Sequence, residues 1–311
     1  MAALEPAPYV GRFAPSPTGP LHLGSLLAAV ASYLQARSRS GRWHVRVEDI
    51  DPPRQQEGAI EEILNALERF GFEWDGPVTF QSENAERHHQ VVADLQAAGN
   101  AYPCSCARRD LATARRGPLG AIYPGTCRDG CKGDALAVRV RTSDTAVEFV
   151  DQLQGTQRQC LESESGDFVI QRRDGLIAYH LAVVIDDFDQ GMTEIVRGID
   201  LLDSTPRQIH LQRLLGFPTP AYLHIPIAEN VRGQKLSKQT GAPALPLDGV
   251  NRIVVNALEA LGQLPPADLA VASLNDVWAW SIEHWNPGAL LGRTAIAAEQ
   301  DALAWGQNGL S

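Results

Sequence analysis

The chain has 311 residues, enough for about two domains. Apolar residues make up 44% and charged residues 21%, which excludes disorder, collagen and coiled coil as the main content. The 27 basic and 37 acidic residues give a net charge of −10, which argues against a general nucleic-acid coat protein with a dominant basic face.

Val10–Ala14 is short, apolar and stopped by Pro15, as expected of a strand. Leu23, Leu26, Leu27, Val30 and Leu34 follow at helical spacing. His44–Asp49 alternates around Val45 and Val47 and reads as a second strand. Asp51-Pro52-Pro53 then carries a helix-start signal ahead of the apolar face Ile60, Ile63, Leu64, Leu67 and Phe70. This strand–helix alternation predicts a parallel sheet with crossover helices. Residues 101–165 break the rhythm with Cys, Arg and Gly, and with short strand-like runs at Leu136–Val140 and Val147–Val150. Beyond them come Phe168–Gln171, a turn at Arg173-Asp174-Gly175, the apolar run Tyr179–Ile185 and Glu194–Val196. Ser204 is expected to cap a helix starting Thr205-Pro206, and a last helix is expected around Val250–Leu261.

The charge is uneven. Residues 241–311 carry two basic and seven acidic residues, whereas 101–143 carry eight basic and three acidic, a local sum of +5. Arg outnumbers Lys 24 to 3, yet Lys235 and Lys238 share one four-residue stretch. The N-terminal residues have no basic run leading into an apolar one, and no stretch approaches the ~18 apolar residues of a membrane helix. The five cysteines are an odd number, so a disulfide framework is not expected and a reducing cytoplasm is.

The most informative segment is Arg12-Phe13-Ala14-Pro15-Ser16-Pro17-Thr18-Gly19-Pro20-Leu21-His22-Leu23-Gly24-Ser25, between the first strand and the first helix. An open α/β sheet presents ligands there, and a helix N-terminus offers free N–H groups to an anion. The prolines stiffen the loop, and Gly19 and Gly24 allow close backbone approach. His22 is a donor for the same corner. Downstream, Gln234-Lys235-Leu236-Ser237-Lys238-Gln239 places two Lys three apart, able to grip a polyphosphate.

Together the two segments resemble the nucleotide-binding signatures of class I aminoacyl-tRNA synthetases: His22-Leu23-Gly24-Ser25 the first, Lys235-Leu236-Ser237-Lys238 the second. The resemblance implies a Rossmann-like, doubly wound parallel sheet. It also implies a reaction in which a carboxylate attacks the α-phosphate of ATP and pyrophosphate leaves. His22 and Lys238 would stabilise phosphate charge, with Mg²⁺ bridging the phosphates. Gly24, Lys235 and, as a ribose ligand, Asp200 complete the implied ATP site.

The similarity narrows to the glutamyl branch. Arg12–Gly19 is similar to its opening motif, Val47-Glu48-Asp49-Ile50-Asp51 to its second-strand motif, and Tyr179–Asp187 with Thr193–Gln208 to a third block. Similarity covers residues 9–240. The implied glutamate site has Arg12 and Arg197 on the carboxylates, Glu48 on the α-ammonium, Tyr179 as a hydrogen-bond partner, and Ala14 and Ser16 lining the pocket. An arginine fork suits a carboxylate because it can grip both oxygens.

Cys104-Ser-Cys106 and Cys127-Arg-Asp-Gly-Cys131 form a plausible structural zinc site on their own chemistry. The order Cys104, Cys106, Tyr123, Cys127 also resembles the Cys-x-Cys/Tyr-x₃-Cys pattern of a shortened branch of the family, the glutamyl-queuosine tRNA(Asp) synthetases. That resemblance makes Tyr123 the fourth ligand, with Cys131 its rival. Only about 70 residues follow Lys238, and the stretch is acidic overall, where ordinary glutamyl-tRNA synthetases continue into anticodon-binding domains. The expected division is therefore 1–100 with 166–240 as catalytic domain, 101–165 as zinc-containing insertion, and 241–311 as a short helical region. The resemblance implies glutamate activation without tRNA and transfer to queuosine at the wobble position of tRNA(Asp). A monomer engaging neither membrane nor DNA is expected. The rivals are a minimal synthetase charging tRNA(Glu), another ligase of small carboxylates, and a non-catalytic tRNA-binding paralogue.

Overall fold

The computed structural model describes residues 8–117, 120–131, 133, 136–229 and 244–297. The lysine pair Lys235 and Lys238 lies outside them. Strand β1 (Val10–Phe13) is buried throughout and pairs in parallel with β2 (Arg42–Val47), which pairs in parallel with β3 (Thr79–Phe80). Helix α1 (Leu23–Arg37) makes the crossover, and nearly all of 26–36 is buried because the helix has packed neighbours on both sides.

Helix α2 (Ala59–Arg69) starts later than Asp51-Pro52-Pro53 suggests. Those residues open only a 3₁₀ turn, Pro52–Arg54. The Asp51 carboxylate accepts from Arg54 and Arg172 rather than from the backbone of a new helix. Gln55 returns to extended backbone, and α2 begins after Gly58, whose φ of +79° suits a residue without Cβ.

Helix α3 (Ala85–Ala97) leads to β4 (Ala101–Cys104), a hairpin of β5 (Arg116–Gly117) and β6 (Gly120–Ala121), then β7 (Ala137–Val140), β8 (Val147–Asp151) and β9 (Gly155–Gln159). After the one-turn α4 (Leu161–Glu164) comes β10 (Val169–Gln171), which with β4 flanks β7 in an antiparallel sheet. The run Tyr179–Ile185 is helical, part of α5 (Tyr179–Asp189). Next come β11 (Glu194–Gly198), α6 (Thr205–Leu215), β12 (Ala221–Ile225) and β13 (Ile227–Glu229). Ser204 does not cap α6 through its side chain, because it already belongs to the 3₁₀ turn Ile199–Ser204. The C-terminal part holds α7 (Val250–Ala260), α8 (Leu274–His284) and β14 (Ala295–Ala297), the last paired with β13.

Strands β11 and β12 are parallel, and β11 lies beside β1, where Thr193 N–H donates to the Val10 carbonyl at 2.9 Å. The spatial order is therefore β3-β2-β1-β11-β12-β8-β9, with β8 and β9 contributed from within 101–165. Chain order reverses between β1 and β11, so their carboxyl ends flank the crevice where such sheets bind ligands.

One core joins α1, α2, α7 and α8. Its centre is the ring cluster Tyr33, Trp43, Phe72 and Trp278, with centroids 5.0 to 5.5 Å apart. Trp278 also donates to the Phe70 carbonyl at 2.9 Å, fastening α8 to the end of α2. Helix α8, started by Ser273 accepting from Asp276 N–H, has no counterpart in the sequence reading. The second core lies among α3, α5, α6, β7 and β10. Among the described residues no helix is long and apolar enough to cross a membrane.

Candidate active site

The loop after β1 is stitched to its surroundings through its backbone. Glu48 N–H donates to the Pro15 carbonyl at 2.9 Å, and Gln56 N–H to the Pro17 carbonyl at 3.0 Å. Gly19 has φ +125°, and a Cβ there would lie 2.9 Å from Gln56 Oε1. Half-buried Ala14 and exposed Ser16 are thereby held beside the end of β2. A cavity of about 310 Å³ opens here, lined by Ser16, Glu48, Ile50, Arg172, Ile177 and Tyr179 among others.

Arg12 and Arg197 stand on the neighbouring strands β1 and β11, both almost wholly buried. Arg12 donates through Nε and Nη2 to Asp187 Oδ1 and Oδ2 at 3.0 and 3.4 Å. Fully buried Arg46 donates to the same Oδ1 at 2.7 Å and lies 3.5 Å from Glu48. Two guanidiniums and two carboxylates thus form one neutral group. Burial would raise the Asp187 carboxyl, but Arg12 and Arg46 outweigh it and hold the carboxyl below its usual range. For Glu48 burial wins over Arg46 and Arg12, and its carboxyl sits above the usual range.

Arg197 donates from Nε to His224 Nε2 at 3.0 Å, and from Nη2 to Thr205 Oγ1 at 2.8 Å and Gln208 Oε1 at 2.7 Å. Its Nη1 reaches Tyr179 OH at 3.4 Å. Both arginine forks are already engaged by protein partners, and each leaves mainly its Nη1 edge for a ligand.

His22 occupies the N-cap of α1. Its Nδ1 accepts from Ser25 N–H at 3.4 Å, and its Nε2 lies 3.2 Å from Ser25 Oγ. Gly24 lies in the first turn of α1, and Asp200 in the 3₁₀ turn after β11.

The cysteine cluster sits against β4. The Cys104, Cys106 and Cys127 sulfurs lie within 4.8 Å of one another. Tyr123 OH is 3.4 Å from Cys104 Sγ and 3.6 Å from Cys106 Sγ, and Cys106 Sγ is 3.6 Å from Cys127 Sγ. A tetrahedron with Zn–S near 2.3 Å and Zn–O near 2.0 Å has S···S edges of about 3.8 Å and O···S edges of about 3.5 Å. The donor set fits that shape. Cys131 is not in this group; its thiol points to the Gly133 carbonyl at 3.9 Å. Despite burial, hydrogen bonds from Tyr123, Ser105 and the two other thiols bring the Cys127 thiol down to about 6.

The catalytic-domain model of the class I tRNA synthetases (E and Q) matches residues 9–252. A glutamyl-Q tRNA(Asp) synthetase of Pseudomonas aeruginosa is 54% identical, over 89% of this chain and 94% of that protein. The one from Thiobacillus denitrificans is 52% identical, over 91% and 95%. The chain belongs to the glutamyl-Q tRNA(Asp) synthetase family of class I tRNA synthetases. The fold agrees: a glutamate tRNA ligase of Elizabethkingia meningosepticum superposes with a TM-score of 0.76 at 22% identity, covering 96% of this chain and 68% of that one.

Within this class I synthetase fold, sequence reasoning overlooked Arg46, Asp187, Gln208, His224 and Asp151. Asp187 stands inside a motif block, but nothing local shows that it faces Arg12, 175 positions away. The basic island is also less available than its sum suggests. Arg139 is buried, donating to Cys104 Sγ at 3.3 Å, and Arg128 is held by Asp167 and Glu162 at 2.6 and 2.9 Å. Arg109, Arg115 and Arg116 stay exposed.

Proposed function

We propose that this ligase activates L-glutamate with ATP as glutamyl-adenylate, without tRNA, and transfers the glutamate to queuosine at the wobble position of tRNA(Asp). The observation that carries the reading is the relatives' shared name at 52–54% identity over about nine-tenths of the chain. The crevice supports it chemically. Glutamate has two carboxylates and one ammonium; the crevice offers two arginine edges, from Arg12 and Arg197, and one carboxylate, Glu48. Tyr179, Ser16 and Ala14 complete that pocket.

Burial of the pocket strengthens these contacts and positions the attacking carboxylate for in-line displacement at the α-phosphate. The N-terminus of α1, with His22 and Gly24, provides N–H groups and a positive dipole end for phosphates. Lys235 and Lys238 add cationic charge from the downstream motif, and Asp200 the ribose contact. Mg²⁺, when bound, would neutralise phosphate charge. In the second step the acceptor attacks the adenylate carbonyl and AMP leaves.

Cys104, Cys106, Tyr123 and Cys127 would hold one structural zinc with no open position. Residues 101–165 then serve as a zinc-stiffened insertion, with the described part of the C-terminal region, 244–297, bracing the catalytic domain. Exposed Arg109, Arg115 and Arg116 make that insertion a place for RNA phosphates to land. We place the protein in the cytoplasm as a monomer.

The test of the first step is glutamate-dependent pyrophosphate exchange without tRNA. The account expects exchange for glutamate and its loss, with the fold intact, in Lys238→Ala. Exchange that requires tRNA would contradict it.

A further inference from the structure

Arg197 is aimed by a relay of buried groups with no direct part in catalysis. On the parallel pair β11–β12, Arg197 and His224 are register partners, and Asp151 ends β8 beside them. All three are buried, His224 completely. The direction of each hydrogen bond follows from elementary chemistry. A guanidinium only donates, so His224 Nε2 must accept from Arg197 Nε, at 3.0 Å. The ring proton is therefore on Nδ1, which donates to Asp151 Oδ2 at 2.6 Å. Asp151 is itself fixed: Oδ1 accepts from Leu153 N–H at 3.0 Å and Gln154 N–H at 2.9 Å, and Oδ2 from His224 N–H at 3.1 Å.

A protonated ring would set an N–H against the Arg197 N–H and place two cations in contact. Burial and Arg197 keep the imidazole neutral, down to about 4, against the opposing pull of Asp151. Thr205 Oγ1, which accepts from Arg197 Nη2, lies 3.2 Å from the same His224 nitrogen. Nε and Nη2 of Arg197 are therefore locked, and Nη1 is turned toward Tyr179 at the cavity.

We propose that His224, held by Asp151, is a positioning residue that orients Arg197 so that its Nη1 edge meets a carboxylate of the amino-acid substrate. The inference rests on the reading of Arg197 as a substrate ligand. It differs from that reading in making a second, non-contacting residue decide substrate affinity. No other imidazole among the described hydrogen bonds joins an arginine to a carboxylate in this way.

Two conservative replacements separate positioning from mere packing. The Gln amide oxygen in His224→Gln can stand where Nε2 stands and still accept from Arg197. The shorter His224→Asn can satisfy Asp151 but leaves Arg197 Nε without its acceptor. Both are compared with wild type and Arg197→Ala in pyrophosphate exchange, with KM for glutamate and for ATP and with thermal melting. The expected result is a rise of roughly tenfold or more in glutamate KM for His224→Asn, with ATP KM unchanged. His224→Gln should stay within severalfold of wild type although its melting temperature also falls. Equal glutamate KM values for the Gln and Asn proteins, beside a large rise in Arg197→Ala, would overturn the positioning role and leave the substrate site standing. An unchanged glutamate KM in Arg197→Ala would instead overturn the substrate-site reading, and the relay with it.

Discussion

In the crevice between β1 and β11, each buried arginine meets a carboxylate, imidazole or amide from a distant part of the chain. Arg12 and Asp187 are 175 positions apart, and Arg197 and His224 are 27. In the cysteine cluster, three sulfurs and one phenol come from the 24 residues 104–127 and face one another. Within the crevice, Arg12 and Arg46 are balanced by Asp187 and Glu48, so that group is neutral without any added ion. The cluster gathers electron-rich donors with one buried cation, Arg139, whose guanidinium lies 3.9 Å from the centre of the Tyr123 ring. A metal ion is the natural partner for such a set. The crevice therefore rests on long-range folding of the sheet, and the cluster on local chain geometry together with the proposed zinc.

The largest expected effect tests the self-sufficiency of the crevice. Asp187→Ala leaves Arg12 and Arg46 without their shared carboxylate, and should lower unfolding free energy by about 3–5 kcal/mol in denaturant titration. Asp187 is held below its ordinary carboxylate range. Its stabilisation is thus fully present above the unfolded-state pKa and is lost as pH falls through the folded-state one. A drop under 1 kcal/mol would mean the arginines find other partners.

A smaller effect is expected in the cluster. Tyr123→Phe removes the acceptor of buried Cys127 N–H, 2.9 Å away, and one proposed metal donor. The loss should be about 1–3 kcal/mol, with weaker zinc retention on metal analysis of the purified protein. Glutamate KM should change little, which would separate the two regions functionally.

Acidity gives a gentler probe. Glu48 titrates above the usual carboxylate range, and only its charged form can pair the substrate ammonium. Glutamate KM should therefore rise as pH falls through that raised pKa, by at most about tenfold per unit because one proton is involved. Lowering pH without any rise would remove Glu48 from the ammonium contact. The smallest effect is expected for Cys131→Ser, which should keep both zinc and stability. Loss of zinc there would make Cys131, not Tyr123, the fourth ligand.

The loop from Arg12 to Ser25 was legible in sequence because proline, glycine and apolar spacing act locally. The parallel alternation of β1, α1 and β2 was legible for the same reason. The start of α2 was not: the Asp51-Pro52 signal is genuine, but Arg54 and Arg172 claim the carboxylate. Ser204 shows a similar limit, since a 3₁₀ turn absorbs it before α6 begins. The candidate arginines were readable from motifs, but their orientation was not. Whether a guanidinium fork is free depends on residues brought together only by the sheet.

The central claim is the identity of the acceptor. Purified enzyme, labelled glutamate and ATP should be incubated in parallel with tRNA(Asp) containing queuosine, tRNA(Asp) lacking it, and tRNA(Glu). The account predicts label on queuosine-containing tRNA(Asp) alone. Label on tRNA(Glu) alone would contradict it and make the protein a minimal glutamyl-tRNA synthetase.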